Sequence, residues 1–348
     1  MKNLLLGLST AELKLLAKEL GEKEFRGKQV SDWLYRQGRR EISGMATLPV
    51  ALKAKLEEGY QVGRSLVKKI SKSKDGTFKL LLQPAYGVPY AGRFSCCVST
   101  QVGCPIGCAF CATGAGGFKR NLSAGEIVDQ VLTVGEAAIK EKLLAADGRV
   151  SHVVFMGMGE PLLNYDATLA AVHLINGELA IGMRNITVST IGYVPGIYRL
   201  AGEDLQLTLA VSLHAADDAL RRKLVPGMTR YTLQEIADAC KHYFRETGRR
   251  VTFEYCLLKG VNDGQADAAK LALLLQGLNC HVNLIPFNSV KGSGFYPPET
   301  FRVTNFRRVL EEAGITVTQR EQRGEGIEAA CGQLRRQALT GQGDLRIK

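Results

Sequence analysis

The chain lacks several features that define whole classes of protein. None of its 348 residues lie in a stretch that approaches the roughly twenty consecutive apolar residues of a membrane-spanning helix. The first ten residues contain a short Leu4-Leu5-Leu6 run but neither the longer apolar region nor the cleavage site of a secretion signal. We therefore expect a cytoplasmic protein with no membrane partner. Its nine cysteines then serve as metal ligands, reactive thiols or small core residues, not as a disulfide framework.

Negative charge is also scarce, because 45 Lys and Arg stand against 34 Asp and Glu. The excess is concentrated in residues 1–74, which hold 16 basic and 8 acidic residues, and the tail 335–348 adds four basic residues against Asp344. A basic module of this kind is typical of proteins that bind a polyanion, most simply nucleic acid. A solvated basic surface that aids solubility would explain the same charge.

Three cysteines, Cys104, Cys108 and Cys111, have C-x3-C-x2-C spacing. Zinc sites usually close with a second Cys or His pair, and no such pair follows within the next twenty residues. The spacing therefore favours an iron-sulfur cluster with three protein ligands and one open iron, to which a small molecule could bind and receive an electron. A structural zinc site and three unrelated core cysteines are the alternatives.

The part of the chain before Phe94 and the part from Phe94 onward differ in the periodicity of their hydrophobic residues. Helices are predicted at about 10–20, where Ser9 to Glu12 form a capping box, at about 27–37, and from Pro49 onward. Asp75-Gly76 then predicts a turn between strands at about 66–71 and 77–83.

From Phe94 onward strands alternate with helices, which predicts a parallel α/β sheet with helices outside it. The strand runs lie at about 94–99, 151–156, 185–190, 207–212, 250–256, 281–286 and 315–320; the helical runs lie at about 123–140, 166–176, 217–223, 232–245, 265–276 and 302–313.

Polar residues follow several of these strands, at the end where α/β barrels carry their working loops. They are Gly159 and Glu160 in a glycine turn, Ser189, the run Ser212-Leu213-His214, and Asn288. Polar groups at the same end of neighbouring strands predict one small-molecule pocket. Taken singly, a glycine turn of this kind is common in loops without a function, and His214 would be a hydrogen-bonded core histidine.

Two further cysteines are placed for thiol chemistry. Cys97 ends the first barrel strand, and Cys331 lies in a glycine-bracketed loop after the last strand. Cys96 should face the opposite side of its strand from Cys97, and Cys240, Cys256 and Cys280 are interpreted as inert core residues.

Four segments of the chain resemble the RlmN/Cfr family of radical S-adenosylmethionine methyltransferases, and specifically its RlmN type. These segments are Phe25-Arg26-x-x-Gln29, residues 97–104, Gly157-Met-Gly-Glu-Pro-Leu-Leu-Asn164 and Ala329-Ala-Cys-Gly-Gln-Leu334. The resemblance implies an α/β fold, a partial (β/α)6 barrel preceded by a small all-helical domain. The expected divisions are 1–62 as a helical RNA-binding domain, 63–92 as a linker with short strands, 93–334 as the radical SAM barrel and 335–348 as a basic tail.

The resemblance also implies cofactors and a reaction. One 4Fe-4S cluster would sit on Cys104, Cys108 and Cys111, and two S-adenosylmethionine molecules would be used per turnover, bound by Gly159, Glu160, Ser189, Ser212, Leu213, His214 and Asn288. Cys331 would accept a methyl group from the first molecule. A 5′-deoxyadenosyl radical from the second would activate that group for addition to an adenine ring. Cys97 would then attack the sulfur of Cys331 and release the methylated base.

The substrates implied by the resemblance are an adenine of the peptidyl-transferase centre in 23S rRNA and the adenosine 3′ of the tRNA anticodon, both methylated at carbon 2. A reducing donor such as flavodoxin and a monomeric state are expected with them. Candidate phosphate-binding residues in the helical domain are Arg26, Lys28, Arg36, Arg39 and Arg40. A Cfr-type enzyme that methylates carbon 8, and a non-catalytic iron-sulfur RNA-binding factor, are the alternative functions.

One departure from the family pattern concerns the proton acceptor. Family members usually carry a glutamate before the first reactive cysteine, but no Asp or Glu occurs here between Asp75 and Glu126. The stretch 83–90, where that glutamate would lie, is shorter than in the family pattern and differs from it in sequence. We therefore expect the Cys97 thiolate to remove the ring proton.

Overall fold

The N-terminal region of the computed structural model consists of three short helices. The structure describes residues 2–65, 67, 69–73, 77–81, 85–90, 93–288 and 293–320. Helix α1 spans Thr10–Glu19, α2 spans Phe25–Ser31 and continues as a π-helical turn over Asp32–Arg36, and α3 spans Val50–Gly59. These positions confirm the three predicted helices. The predicted capping box is present, since the Ser9 backbone donates to Glu12 at 2.7 Å and the Glu12 backbone donates back to the Ser9 hydroxyl.

One short pair of strands closes this helical unit. Strand β1 (Asn3–Leu4) pairs in parallel with β2 (Tyr60–Gln61), so the unit is not purely helical. Its core is aliphatic and includes Leu13, Leu34 and Leu52, each about 1% exposed or less.

Three antiparallel strands precede the barrel. Strands β3 (Lys69–Lys72) and β4 (Phe78–Leu81) form the predicted pair, although the turn at Asp75-Gly76 lies outside the described residues. Strand β5 (Ala85–Tyr90) pairs with β4 and with β6 (Arg93–Cys97). The sequence did not predict β5, because Gly87 and Pro89 are unusual inside a strand.

A small two-stranded ribbon follows β6. Strand β7 (Gln101–Gly103) pairs antiparallel with β8 (Phe118–Asn121), and the residues between them form a loop that contains the three motif cysteines. This ribbon also went unpredicted, since strands of three and four residues leave little periodicity to detect.

The barrel is built on seven strands that run parallel. After β6 they are β9 (His152–Phe155), β10 (Ile186–Thr190), β11 (Thr208–Ser212), β12 (Val251–Leu257), β13 (Cys280–Pro286) and β14 (Thr316–Gln319). Neighbours in space follow chain order from β6 to β14, and among the described residues the sheet has ten strands, with β3–β5 added at the β6 edge. The predicted α/β partial barrel is confirmed. In that described part its parallel strands number seven, one more than the resemblance implies, because the run at 315–320 adds β14 beside β13.

Helices connect these strands and cover the sheet. They are α4 (Ala124–Lys140), α5 (Tyr165–Gly177), α6 (Val194–Ala201), α7 (Asp218–Leu224), α8 (Leu233–Thr247), α9 (Gln265–Leu274) and α10 (Thr300–Glu312). All but α6 were predicted. Helix α6 contains Pro195 and Gly196, which weaken the sequence signal, yet Pro195 stands in the first turn, where it is tolerated. No helix in the described part of the chain is both long and apolar enough to cross a membrane.

A buried ion pair joins the segment after β2 to the barrel. The side chains of Arg64 and Asp129 form a salt bridge at 1% and 0% exposure. Asp129 also accepts the backbone N–H of Ser65 at 2.7 Å, and Arg64 reaches Glu136 at 2.8 Å. Glu136 binds Arg40 of the helical unit at 2.7 Å. These contacts fix the helical unit against α4.

We expect Asp129→Ala to lower the free energy of unfolding by about 3 kcal/mol, because it leaves the buried Arg64 guanidinium with only Glu136 as a charged partner. Urea unfolding followed by circular dichroism measures the change. The control is Asp238→Ala, which removes an exposed pair with Lys241 and should change stability by no more than about 0.5 kcal/mol. Equal losses in the two variants would contradict this assignment.

Candidate active site

The cysteine loop is closed at its neck by two glycines. The backbone N–H of Cys104 donates to the carbonyl of Gly117 at 3.1 Å. Gly103 has a φ of +85°, and a Cβ at this position would stand 1.8 Å from that same carbonyl oxygen. A side chain therefore cannot be accommodated at 103, and the loop between β7 and β8 has a fixed base.

Helix α7 and the turn after it hold the far side of this loop. The N–H of Ala109 donates to the carbonyl of Leu224 at 3.0 Å, and the N–H of Gly227 donates to the carbonyl of Ile106 at 2.8 Å. Backbone groups make both bonds, and a Cβ at Gly227 would stand 2.5 Å from the Ile106 backbone, so this contact between the loop and the turn requires glycine at 227.

The three thiols of the loop are half-buried and lie within electrostatic reach of one another. Burial raises the pKa of Cys104 to about 11, although backbone N–H groups of Ile106 and Gly159 donate to its sulfur and oppose the rise. Burial, and then the neighbouring Cys111 and Cys104, raise the pKa of Cys108. Three thiolates here would repel each other, so their ionisation requires a cationic group between them.

The donor set fits an iron-sulfur cluster. The three thiols stand on one loop within electrostatic reach of one another, and the backbone N–H groups of Ile106 and Gly159 donate to the Cys104 sulfur. Each thiolate of a cubane cluster binds a different iron, and N–H donors to a ligating sulfur stabilise its thiolate form. Among the described residues, no three Cys, His, Asp or Glu side chains converge as ligands of one metal ion would.

The glycine turn after β9 packs directly against β7. The carbonyl of Met158 accepts the N–H groups of Thr100 and Gln101 at 2.9 and 3.2 Å, and the N–H of Glu160 donates to the Gln101 side chain at 2.9 Å. Gly159 has a φ of +104°, and a Cβ there would stand 2.6 Å from the Cβ of Gln101. The turn thus needs glycine for its backbone conformation and for the close approach.

The carboxylate of Glu160 links the ends of two strands. It is 3% exposed and accepts the backbone N–H groups of Leu162 at 3.1 Å and Ile191 at 2.7 Å. Burial raises its pKa to about 7 despite these donors. Each carboxylate oxygen has two acceptor sites, so Glu160 retains capacity for an ammonium group.

The other predicted cofactor residues lie along the same edge of the sheet. Ser189 and Ser212 are half-buried near the ends of β10 and β11, and Asn288 is exposed after β13. Leu213 is 1% exposed with its side chain in the core, so it could reach a ligand only through its backbone.

His214 is held in one protonation state. Its backbone is left-handed, with a φ of +59°, and its Nδ1 accepts the N–H of Cys256 at 3.1 Å. Burial, and then the charge of Arg221, lower its pKa to about 3. The neutral ring therefore carries its proton on Nε2. It also meets Phe110 of the cysteine loop edge-on, with ring centroids 4.9 Å apart, so this hydrogen-bonded histidine lies beside the motif cysteines.

The remaining cysteines that the structure describes occupy the expected environments. Cys96 is fully buried, whereas Cys97 is half-buried at the end of β6, which confirms that they face opposite sides. Cys240, Cys256 and Cys280 are buried. Cys331 and its glycine-bracketed loop lie outside the described residues.

Two buried charged residues at this edge were missed by the sequence analysis. Arg221 of α7 donates to the carbonyls of Ile191, Ser212 and Leu213. Glu254 of β12 accepts from the Asn283 side chain at 2.8 Å, and burial raises its pKa. Arg221 is adjacent to Arg222 and Lys223, a run that predicts solvent exposure. Glu254 offered a clearer signal, because it is a charge inside an apolar strand run.

Comparisons with known proteins agree with this site. Residues 98–272 match the radical SAM superfamily, and residues 3–62 match the ribosomal RNA large subunit methyltransferase N-terminal domain. The chain is 47% identical over 355 residues to the "Probable dual-specificity RNA methyltransferase RlmN" of Synechococcus sp. strain CC9902, covering 98% of this chain and 99% of that protein. It is 45% identical to the protein of the same name from Thermosynechococcus vestitus, covering 96% and 99%.

A solved structure extends the match to three dimensions. The crystal structure of a radical SAM methyltransferase from Sphaerobacter thermophilus superimposes with a TM-score of 0.90 at 43% identity, covering 95% of this chain and 98% of that one. Sequence identity at this level over nearly the full length, together with the cysteine loop described above, places the chain in the RlmN family of radical SAM RNA methyltransferases.

Proposed function

We propose that the protein methylates carbon 2 of adenine in 23S rRNA, at the peptidyl-transferase centre, and in tRNA, at the adenosine 3′ of the anticodon. The observation that carries the proposal is a shared edge of the sheet. Cys97 is the last residue of β6, the ribbon with the cysteine loop follows it, and the loops after β9, β10 and β11 leave the carboxyl ends of the neighbouring parallel strands. The RlmN relatives are named dual-specificity RNA methyltransferases, which supports both substrates.

Cys104, Cys108 and Cys111 would hold one 4Fe-4S cluster. When bound, it supplies the electron that cleaves S-adenosylmethionine into methionine and a 5′-deoxyadenosyl radical. The half-buried loop limits access of water to the site, and the N–H donors on the Cys104 sulfur favour its thiolate form.

The cofactor pocket would be formed by Gly159, Glu160, Ser189, Ser212, Leu213, His214 and Asn288. The ammonium group of methionine beside Glu160 would stabilise its ionised form, since an adjacent positive charge lowers a carboxyl pKa. Ser189 and Ser212 offer hydroxyl groups, and the neutral His214 ring offers an Nε2–H donor. The backbone at Gly159 leaves room for a ligand to approach closely.

Two thiols would carry the methyl group and release it. The Cys331 thiolate displaces S-adenosylhomocysteine from a first S-adenosylmethionine and becomes S-methylcysteine. The radical from a second molecule takes a hydrogen atom from this methyl group, and the resulting carbon radical bonds to carbon 2 of adenine. The ring would then lose one electron, for which the oxidised cluster would be the acceptor, and one proton to the Cys97 thiolate. Once Cys97 has released that proton to water, its thiolate bonds to the Cys331 sulfur. The carbon–sulfur bond breaks, its electron pair stays on carbon, and a proton completes the methyl group. A disulfide remains.

The RNA would be bound by an aromatic and basic surface of the helical unit. We call it the stacking surface, and it consists of Phe25, Arg26, Trp33 and Arg39. The Arg26 guanidinium lies 4.6 Å from the Phe25 ring centroid, and that of Arg39 lies 5.2 Å from the Trp33 ring. Arg26 and Trp33 both bind Thr47, so the two pairs share one face. Phe25 is exposed and Trp33 is half-buried, and aromatic rings beside guanidinium groups are suited to unstacked bases and their phosphates.

The other basic candidates differ in their availability. Lys28 is exposed, and Arg36 is exposed beside Asp32 at 3.3 Å. Arg40 already binds Glu136 and the carbonyl of Ser65, so its primary contribution is to the junction with the barrel. A reducing donor such as flavodoxin, a monomeric state and a cytoplasmic location complete the proposal.

Anaerobic reconstitution with iron and sulfide, then incubation with methyl-labelled S-adenosylmethionine, tests the reaction. We expect label on Cys331 by peptide mass spectrometry before RNA is added, and its transfer to 2-methyladenosine once RNA and reductant are present. Cys331→Ala should acquire no label. An 8-methyladenosine product would identify a Cfr-type enzyme, and the absence of S-adenosylmethionine cleavage would identify a non-catalytic RNA-binding factor.

Cys97→Ala should stop the reaction at a covalent RNA adduct on Cys331, because the second thiol that forms the disulfide is missing. Denaturing gel electrophoresis with labelled RNA detects the adduct. Cys280→Ala is the control, since Cys280 is a buried cysteine at the opposite end of its strand and should leave turnover intact. Free methylated RNA from Cys97→Ala would refute the role of Cys97.

Phe25→Ala should weaken RNA binding about 5- to 150-fold, the range expected when one base loses an aromatic stacking partner of about 1–3 kcal/mol. Filter binding at several salt concentrations measures the affinity. Phe301→Ala is a matched control, because Phe301 is also an exposed ring with an arginine beside it, at 5.8 Å, but lies on α10. Equal effects of the two substitutions would rule out a specific stacking surface.

A further inference from the structure

Arg221 is a charged side chain at the centre of the site that the reaction described above does not use. It is 2% exposed, and its two terminal nitrogens donate to three carbonyls, those of Ile191, Ser212 and Leu213. These carbonyls lie where β10 and β11 end, so one guanidinium holds both strand ends in place.

The charge of this side chain has no carboxylate partner in the described residues. No salt bridge to Arg221 occurs there, and its Nε finds no hydrogen-bond acceptor. Carbonyls are neutral, so a buried cation of this kind carries a desolvation cost that its visible partners do not offset. Burial lowers its pKa only to about 10, which leaves it charged at neutral pH.

Three ionisable groups interact electrostatically with the guanidinium; in order of strength they are Cys108, Asp218 and Glu160. Cys108 belongs to the proposed cluster site and Glu160 to the proposed cofactor site. Asp218 is engaged by the N–H of Leu233 at 2.8 Å. Glu160 meets Arg221 across a single residue, because Ile191 donates its N–H to Glu160 and accepts from Arg221 through its carbonyl.

Helix α7 also couples Arg221 mechanically to the cysteine loop. The carbonyl of Leu224, one turn after Arg221, accepts the N–H of Ala109, which lies between Cys108 and Cys111. A change at Arg221 would therefore affect both the strand ends and the loop.

We propose that Arg221 is a positioning residue whose fixed positive charge offsets the negative charge of the cluster thiolates while its hydrogen bonds hold the cofactor-binding strand ends. The inference rests on the proposed function, since it requires a cluster on Cys104, Cys108 and Cys111. A cubane on three thiolates is anionic and gains a further negative charge on reduction. A buried cation beside Cys108 stabilises the reduced form more than the oxidised form, and so raises the reduction potential.

The test compares Arg221→Met, Arg221→Lys and Arg222→Met after anaerobic reconstitution. Arg222 is exposed on the same turn of α7 and provides a matched control for the loss of one charge. Iron and sulfide content, the midpoint potential from a redox titration followed by electron paramagnetic resonance, and S-adenosylmethionine affinity are measured. We expect a more negative midpoint potential for Arg221→Met, which removes the charge. Arg221→Lys keeps the charge but loses the planar guanidinium, so we expect a midpoint potential near that of the wild type and weaker S-adenosylmethionine binding. Arg222→Met should match the wild type.

Each outcome decides the question. If Arg221→Met does not retain the cluster and Arg221→Lys does, the requirement for charge is supported. An unchanged potential in Arg221→Met, or equal defects in the Met and Lys variants, would overturn the inference and leave the proposed function standing. A wild-type protein that takes up no iron-sulfur cluster would overturn both.

Discussion

The site depends on the backbone of Ile191, which is hydrogen-bonded to the Glu160 carboxylate through its N–H and to the Arg221 guanidinium through its carbonyl. When a parallel strand stops, the backbone groups beyond it lose their ladder partners, and buried groups of this kind must find others. Here the N–H of Ile191 binds Glu160 and its carbonyl binds Arg221. Glu160 comes from the loop after β9 and Arg221 from α7, so a single residue after β10 joins the ends of three successive strands. Glu160 and Arg221 interact electrostatically across this residue, but no salt bridge joins them in the described part of the chain.

The cysteine loop depends on this arrangement even though it is a separate ribbon. Its backbone is bound by the end of α7 and the turn beyond, and Phe110 packs against the ring of His214 after β11. The thiols are therefore held by the same helix whose Arg221 binds the ends of β10 and β11. This arrangement is suited to a reaction in which an electron must pass from a metal cluster to a molecule beside it, because both partners are positioned by a common frame.

The helical unit is attached to this frame by charge as well as by packing. Glu178, after α5, accepts hydrogen bonds from the backbone N–H and the hydroxyl of Thr10, both at 2.7 Å, and from the Ser31 hydroxyl at 2.8 Å. The salt bridge between Arg64 and Asp129 attaches the segment after the helical unit to α4. Two separate polar contacts fix the orientation of the unit relative to the barrel. An RNA held on the stacking surface would then be presented to the barrel at a defined angle.

The sequence alone determined the parts that depend on local pattern. The alternation of strand and helix predicted the α/β barrel, and Ser9 to Glu12 predicted the start of α1. The three-ligand cluster that the cysteine spacing predicts stays a prediction. Only the tertiary structure decided which charges are buried. Arg221 and Arg222 are adjacent in the sequence, yet one is 2% exposed and the other lies in solvent. Helix rotation against the sheet separates them, and that rotation is set by packing across the whole domain. In the same way β5, whose glycine and proline argue against a strand, forms because β4 and β6 supply partners on both sides.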